Sequence, residues 1–276
     1  GPIIPPSGIM IIYAVCAANV SISDMFLGGI GPGVLLGICE MALCYYFAVK
    51  HKHPRREKRT PVRDVLVVFW DSLPALGMPL IIMGGITTGI FTATESSAIA
   101  VFYALIVAFC KKQITWKSLV ECCLNTAKTT ANTMFIIAMS YAITILRIPQ
   151  EIVSVVMENV HSPYVFLLIT NIILIILGCV LDQSPALLMM VPILLPIATQ
   201  FGIDPVHFGV LCCFNLTIGL ISPPVGMTLF VTANVAKVKL TALFKEVIPF
   251  VVLGYATLFL ITYVPQIVTF IPNLLK

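Results

Sequence analysis

Apolar residues in this chain come in long unbroken runs, not in the every-other-residue alternation of a half-buried strand. The pattern predicts membrane-crossing helices, each needing about 20 apolar residues, and argues against a β-barrel. Met25 to Val49, Leu119 to Leu146 and Leu243 to Phe270 read as full spans. Shorter apolar stretches lie between them: Ile9 to Val20, Ala98 to Cys110, Phe208 to Gly219 and Met227 to Ala236. Asp64 to Ile82 mixes Asp64, Trp70 and Asp71 with Val and Leu, which predicts a helix lying partly in the membrane interface. Gln150 to Val160 reads as amphipathic, with Glu151, Glu158 and the following His161 on its wet side.

Val165 to Leu181 and Ala186 to Thr199 are each marginal for a full crossing. The turn between them, Asp182-Gln183-Ser184-Pro185, is polar and carries a proline. Two short arms joined in this way predict a re-entrant hairpin, which needs a protein or cavity lining. The alternative is two ordinary spans joined by a turn outside the membrane. The segments then run as follows: 1–49 a broken helix and a span, 50–63 a basic loop, 64–90 an interfacial region, and 91–164 further helices. In 165–276, a hairpin at 165–200 precedes a broken helix at 207–236 and a last span at 242–271.

Composition supports lipid as the solvent. The chain is 59% hydrophobic and 10% charged, with a mean hydropathy of +1.04. A soluble domain carries about 25% charged residues, so there is too little charge here to wet a globule. Seven Lys or Arg fall between Lys50 and Arg63. Flanked by apolar segments, they fit a cytoplasmic loop obeying the positive-inside rule, and no nucleic-acid partner is expected. The nine cysteines show no C-x-x-C spacing, so neither disulfides nor a transition-metal site are expected. The chain starts Gly1-Pro2 with no visible signal peptide, and reads as starting partway through a protein.

One pattern occurs twice. Gly1 to Gly8 and Gly219 to Gly226 share G-x-I-x-P-P-x-G at a separation of 218 residues. Each motif is followed by a short apolar half-helix and a loop. Phe26, Ile30, Pro32 and Gly37 are then answered by Phe244, Ile248, Pro249 and Gly254 after a slip of one residue. This is an internal repeat. The first long helix ends at the basic cluster, whereas Lys237, Lys239 and Lys245 open the second. By the positive-inside rule the two copies run in opposite directions. Inverted repeats with broken helices are the mark of secondary transporters, with the site near the midplane between halves. The fold class expected is an all-α polytopic membrane protein of that kind. The second motif has a candidate hairpin before it, so a partner hairpin for the first is expected upstream of Gly1.

A broken helix in a membrane offers carbonyl oxygens from one half and N–H groups from the other. Oxygens suit Na⁺, so Gly219, Ser222, Pro223, Pro224 and Gly226 are candidate ligands, mostly through the backbone. Asp182, Ser184 and Pro185 at the hairpin turn are placed to complete the shell; alternatively Asp182 caps the next helix. Gly1, Pro5, Pro6 and Ser7 form the equivalent half-site in the first copy. The N–H end suits an anionic substrate, with Thr228 beside it. Thr92, Thr94 and Glu95 in FTATESSA are further substrate candidates, because a carboxylate in an apolar setting is a functional-site hypothesis by default. Thr92-x-x-Glu95 is equally a capping box. Arg147 could pair with a substrate carboxylate or snorkel to the interface. Asn215 and Thr217 could be ordinary interhelical hydrogen bonders.

Intramembrane proteases need a Ser/His pair, a G-x-G-D aspartate or an H-E-x-x-H helix, and no such motif is in the sequence. A channel needs a continuous polar lining, whereas polar groups here gather at the breaks. The stretches GPIIPPS, GIFTATESSA, LDQSPALLMMVPILLPIA, GIDPVHFGV and NLTIGLISPPVGM resemble, in the same order, the large membrane subunit of tripartite ATP-independent periplasmic (TRAP) transporters. The resemblance implies a bacterial inner-membrane, elevator-type importer of the ion transporter superfamily, driven by a Na⁺ gradient and without an organic cofactor. It implies two partners, a small membrane subunit and a periplasmic substrate-binding protein, and an organic acid anion such as a C4-dicarboxylate or a sialic acid as cargo. On the same resemblance, Asp182 to Pro185 is the hairpin tip, Gly219 to Gly226 its Na⁺ partner, and Asp64 to Leu76 an arm helix. An ion-coupled carboxylate symporter working without a binding protein is the alternative.

Overall fold

The computed structural model describes residues 2–52, 61–112, 114–145, 158, 160–223 and 226–275. Regular structure among them is helical: α1 (Gly8–Ala17), α2 (Ile22–Lys50), α3 (Val62–Thr87), α4 (Ala93–Cys110), α5 (Trp116–Ile145), α6 (Pro163–Val180), α7 (Gln183–Gln200), α8 (Pro205–Gly219), α9 (Met227–Ala236), α10 (Leu240–Tyr263) and α11 (Gln266–Leu275). Five of them, α2, α3, α6, α7 and α10, are long and apolar enough to cross a membrane. The chain divides into two compact units, residues 1–40 with 129–276, and residues 41–128.

In the first unit α8 is the hub, touching α1, α6, α7, α10 and α11. A helix apolar on all sides has to be surrounded, and in α8 everything from His207 to Leu216 is buried. Asp204 caps its start, accepting from the amides of Val206 at 2.8 Å and His207 at 3.0 Å. Phe166 stacks on Phe208, Asn171 bonds Asn215, and Gly178 meets Gly219. This near-constant offset makes α6 and α8 parallel. Against α10 the pairs His207–Ile261 and Ile218–Gly254 step in opposite senses, so α8 and α10 are antiparallel. Small residues set the closest approaches, as expected where helices pack without a hydrophobic drive between them. A Cβ on Gly219 would lie 2.6 Å from the Gly178 carbonyl carbon, and one on Gly31 would lie 2.3 Å from the Ile267 carbonyl oxygen.

The repeat read from the sequence has a local counterpart in the backbone. Each G-x-I-x-P-P-x-G motif leads into a helix of 10 residues, α1 or α9. Each of these ends on a left-handed non-glycine residue, Ala18 at φ 56° and Lys237 at φ 55°. A long helix with an internal proline follows both times, Pro32 in α2 and Pro249 in α10.

In the second unit α3 and α4 form an antiparallel pair across the turn at Gly89, where φ is +70°. Gly77 accommodates the Tyr103 ring, and Gly85 faces Ser96.

Several boundaries differ from the sequence expectation. Leu243 to Phe270 is not one span, because α10 stops at Tyr263 and α11 starts at Gln266. Pro265 lacks an amide and pushes Val264 out of the helical region, to φ −121° and ψ 75°. The turn between α6 and α7 is shorter than Asp182 to Pro185, since α7 already begins at Gln183. Proline in a first turn loses no intrahelical hydrogen bond, so Pro185 fits there. α4 starts at Ala93, five residues before the expected Ala98, and α3 runs on to Thr87. Most of Gln150 to Val160 and of the basic loop lies outside the described residues.

Gly219→Ala is expected to force α6 and α8 apart and lower stability by about 1–3 kcal/mol, the usual cost of overpacking. Gly37→Ala, with nothing within 4 Å of its added Cβ, is expected to cost nothing. Thermal unfolding of the two detergent-solubilised variants checks the difference.

Candidate functional site

The second G-x-I-x-P-P-x-G motif ends one helix and starts another. The last turn of α8 tightens: the amides of Ile221 and Ser222 donate to Ile218 and Gly219 at 3.1 and 3.0 Å. Proline at 223 cannot continue the ladder. The chain restarts at Gly226, buried and left-handed at φ 54° and ψ 73°. Glycine is required there twice over, because a Cβ would also come 3.0 Å from the Ser222 carbonyl oxygen. Across the break the Thr228 amide donates to the Leu220 carbonyl at 3.2 Å, tying the two half-helices together.

Ser222 is the buried polar side chain of this segment, 2% exposed. Its hydroxyl donates to the Ile218 carbonyl at 2.8 Å and meets the Tyr255 hydroxyl of α10 at 2.9 Å. The hairpin tip is held beside the break by the Gly178–Gly219 contact and by Thr217, which donates to Gln183 Oε1 at 3.3 Å. Ser184 and Pro185, both half-buried, lie in the first turn of α7. Asp182 is exposed and caps α7, its Oδ1 accepting from the Gln183 amide at 2.9 Å. Pro223 is exposed, and Pro224 lies outside the described residues.

Below the break, a buried amide cluster joins three helices. Asn171 Nδ2 donates to Thr262 Oγ1 at 2.9 Å, and Asn215 Nδ2 donates to Asn171 Oδ1 at 3.0 Å. The interhelical role read for Asn215 is what the structure contains, and Thr217 adds its bond to the hairpin.

At the first motif Gly1 lies outside the described residues. Pro5 and Pro6 are half-buried and joined by a cis peptide bond. Ser7 is 1% exposed and its hydroxyl donates to the Pro2 carbonyl, closing the loop ahead of α1.

The substrate candidates are distributed differently. Thr228 is exposed and its amide donates to the Leu220 carbonyl. Thr92 and Glu95 belong to the second unit and make the capping box: Glu95 Oε2 accepts from the Thr92 amide at 2.8 Å, and Thr92 Oγ1 accepts from the Glu95 amide at 3.3 Å. Thr94 is exposed beside them. Arg147 lies outside the described residues. Tyr255 was not picked out by sequence reasoning. The one available signal was a tyrosine hydroxyl directly after Gly254 in a largely apolar helix.

The profile of the family described as "Tripartite ATP-independent periplasmic transporter, DctM component" matches residues 1–267. The chain belongs to this family. TRAP large permeases are transporter components and not enzymes, and with the apolar helices this makes the chain a multi-pass membrane protein. Among similar proteins, the C4-dicarboxylate TRAP transporter large permease protein of Pseudomonas aeruginosa is 38% identical over 278 residues, 99% of this chain and 65% of its own length. The sialic acid TRAP transporter permease protein of Haemophilus influenzae is 38% identical over 280 residues, 100% of this chain and 45% of its own length. The 2,3-diketo-L-gulonate TRAP transporter large permease protein of Escherichia coli is 36% identical over 272 residues, 97% and 64%. The chain therefore spans about half to two thirds of these relatives.

Thr92→Ala is expected to remove the cap of α4 and cost about 1 kcal/mol, whereas Thr92→Ser, which keeps the accepting oxygen, is expected to restore it. Melting temperatures of the two variants check this. A substrate role would instead change the half-saturating substrate concentration at an unaltered melting temperature.

Proposed function

We propose that this chain is the translocating part of a Na⁺-coupled importer of an organic acid anion in the bacterial inner membrane. The observation that carries the reading is the second break: a family member's broken helix, with a buried serine in the break, meets the α6–α7 hairpin through Gly219 and Thr217. Unwound helix ends of this sort coordinate Na⁺ through oxygen in secondary transporters. The ligands assigned are Gly219, Ser222, Pro223, Pro224 and Gly226 from the break, with Ser184 and Pro185 from the hairpin. Asp182 supplies a carboxylate at the tip, since capping occupies only one of its oxygens. Gly1, Pro5, Pro6 and Ser7 are assigned to a second Na⁺ site.

The cargo is an organic acid anion, in keeping with the dicarboxylate, sialic acid and diketogulonate named for its relatives. Thr228, Thr92, Thr94, Glu95 and Arg147 remain its candidate contacts. A periplasmic substrate-binding protein delivers it and a small membrane subunit completes the assembly, as the tripartite family description suggests. Movement is of the elevator type, with the α6–α7 pair as a re-entrant hairpin: each arm, at 18 residues, is about 27 Å long, at the short end of what crosses a bilayer core.

Uptake by the whole transporter in proteoliposomes is expected to need both an inward Na⁺ gradient and the binding protein. Uptake indifferent to the gradient would sink Na⁺ coupling, and uptake indifferent to the binding protein would favour the stand-alone symporter. Ser222→Ala is expected to raise the Na⁺ concentration for half-maximal uptake roughly tenfold or more, as for loss of a hydrogen-bond-strength contact to a charge.

A further inference from the structure

Two hydroxyl groups from two elements meet at the second break: Ser222 in the break and Tyr255 on α10. Each carries a single proton, and that fixes the direction of both bonds. Ser222 spends its proton on the Ile218 carbonyl at 2.8 Å, since a carbonyl can only accept. The 2.9 Å bond between Ser222 and Tyr255 is then one that Tyr255 must donate. The chain runs from Tyr255 to Ser222 to Ile218.

We infer that Tyr255 is a positioning residue for cation binding. By donating to Ser222 while Ser222 donates to Ile218, Tyr255 fills one of the two lone pairs of the serine oxygen and holds the other in a fixed direction. A hydroxyl pinned in this way cannot turn its hydrogen towards an incoming cation. Without Tyr255 the serine keeps its helix bond to Ile218 but loses the partner that fixes its lone pairs. The role goes beyond holding helices together, because the Gly178–Gly219 contact and the Asn171–Asn215–Thr262 cluster already join α6, α8 and α10. It rests on the reading of Ser222 as a Na⁺ ligand.

The test is the Na⁺ concentration that gives half of the thermal stabilisation of the purified whole transporter, titrated with NaCl at constant ionic strength against choline chloride. Tyr255→Phe is expected to raise that midpoint about 2–10-fold, the range that one ordinary hydrogen bond commands. Its melting temperature in choline alone is expected to move much less. A Tyr255→Phe midpoint equal to wild type overturns the inference and leaves the Na⁺ reading standing. Wild-type protein with no Na⁺-dependent stabilisation overturns both. Should Tyr255→Phe fail to assemble, Tyr255→Met, which also lacks the donor, decides, and a wild-type midpoint there overturns the proposal.

Discussion

The backbone contact between Gly178 and Gly219 is the constraint on which the rest of the first unit depends. In a bilayer, burying apolar surface between helices gains little, because lipid tails are as apolar as the partner helix. Association then rests on close van der Waals approach and on interhelical hydrogen bonds. Two glycines facing each other let α6 and α8 touch backbone to backbone at the level where α8 is about to break. One turn further on, α6 ends and the Leu181–Asp182 turn begins, so the tip of the α6–α7 pair is delivered to the break with no freedom to sit elsewhere. The Thr217–Gln183 bond follows from that placement and does not cause it.

Breaking a helix where water is scarce leaves amides and carbonyls that must find partners. A proline pair that merely kinked a helix would leave the axis continuing and the orphans few. Here the segment between Leu220 and Thr228 is closed by its own bonds: Leu220 accepts from Thr228, and Gly226 accepts from Leu229 at 2.7 Å. Serine hydroxyls finish the work at both motifs, Ser222 donating to Ile218 and Ser7 to Pro2. The two serines occupy different positions in their motifs, one before the proline pair and one after it. Each copy has therefore arrived at the same remedy by a different residue, which favours a break kept for its own sake.

What could be read from the sequence tracks how local its cause is. The half-helix Met227 to Ala236 was legible to the residue, because Gly226 and the left-handed Lys237 bound it on both sides. The capping box at Thr92 and Glu95 and the cap at Asp182 were legible as alternatives for the same reason: both are decided within four residues. The division of the last span at Pro265 was missed because hydrophobicity runs straight through it, and only the proline's missing donor speaks against continuity. Tyr255 was missed on different grounds. Its partner Ser222 lies 33 residues away, and nothing in the spacing of an apolar helix tells which aromatic turns its hydroxyl inward.

On the proposed reading, the pinned serine suits a coupling site. Apart from the Asp182 carboxylate, the assigned ligands are neutral carbonyls and hydroxyls, and such a site binds a cation more weakly than one lined with carboxylates. A transporter requires that weakness, since an ion held too tightly on one side would not leave on the other. Selectivity then rests largely on geometry, and geometry costs least when each oxygen is already aimed before the ion arrives. Ser222 is aimed by two hydrogen bonds and Gly226 by its left-handed backbone, while two facing glycines seat the end of α6 beside the break.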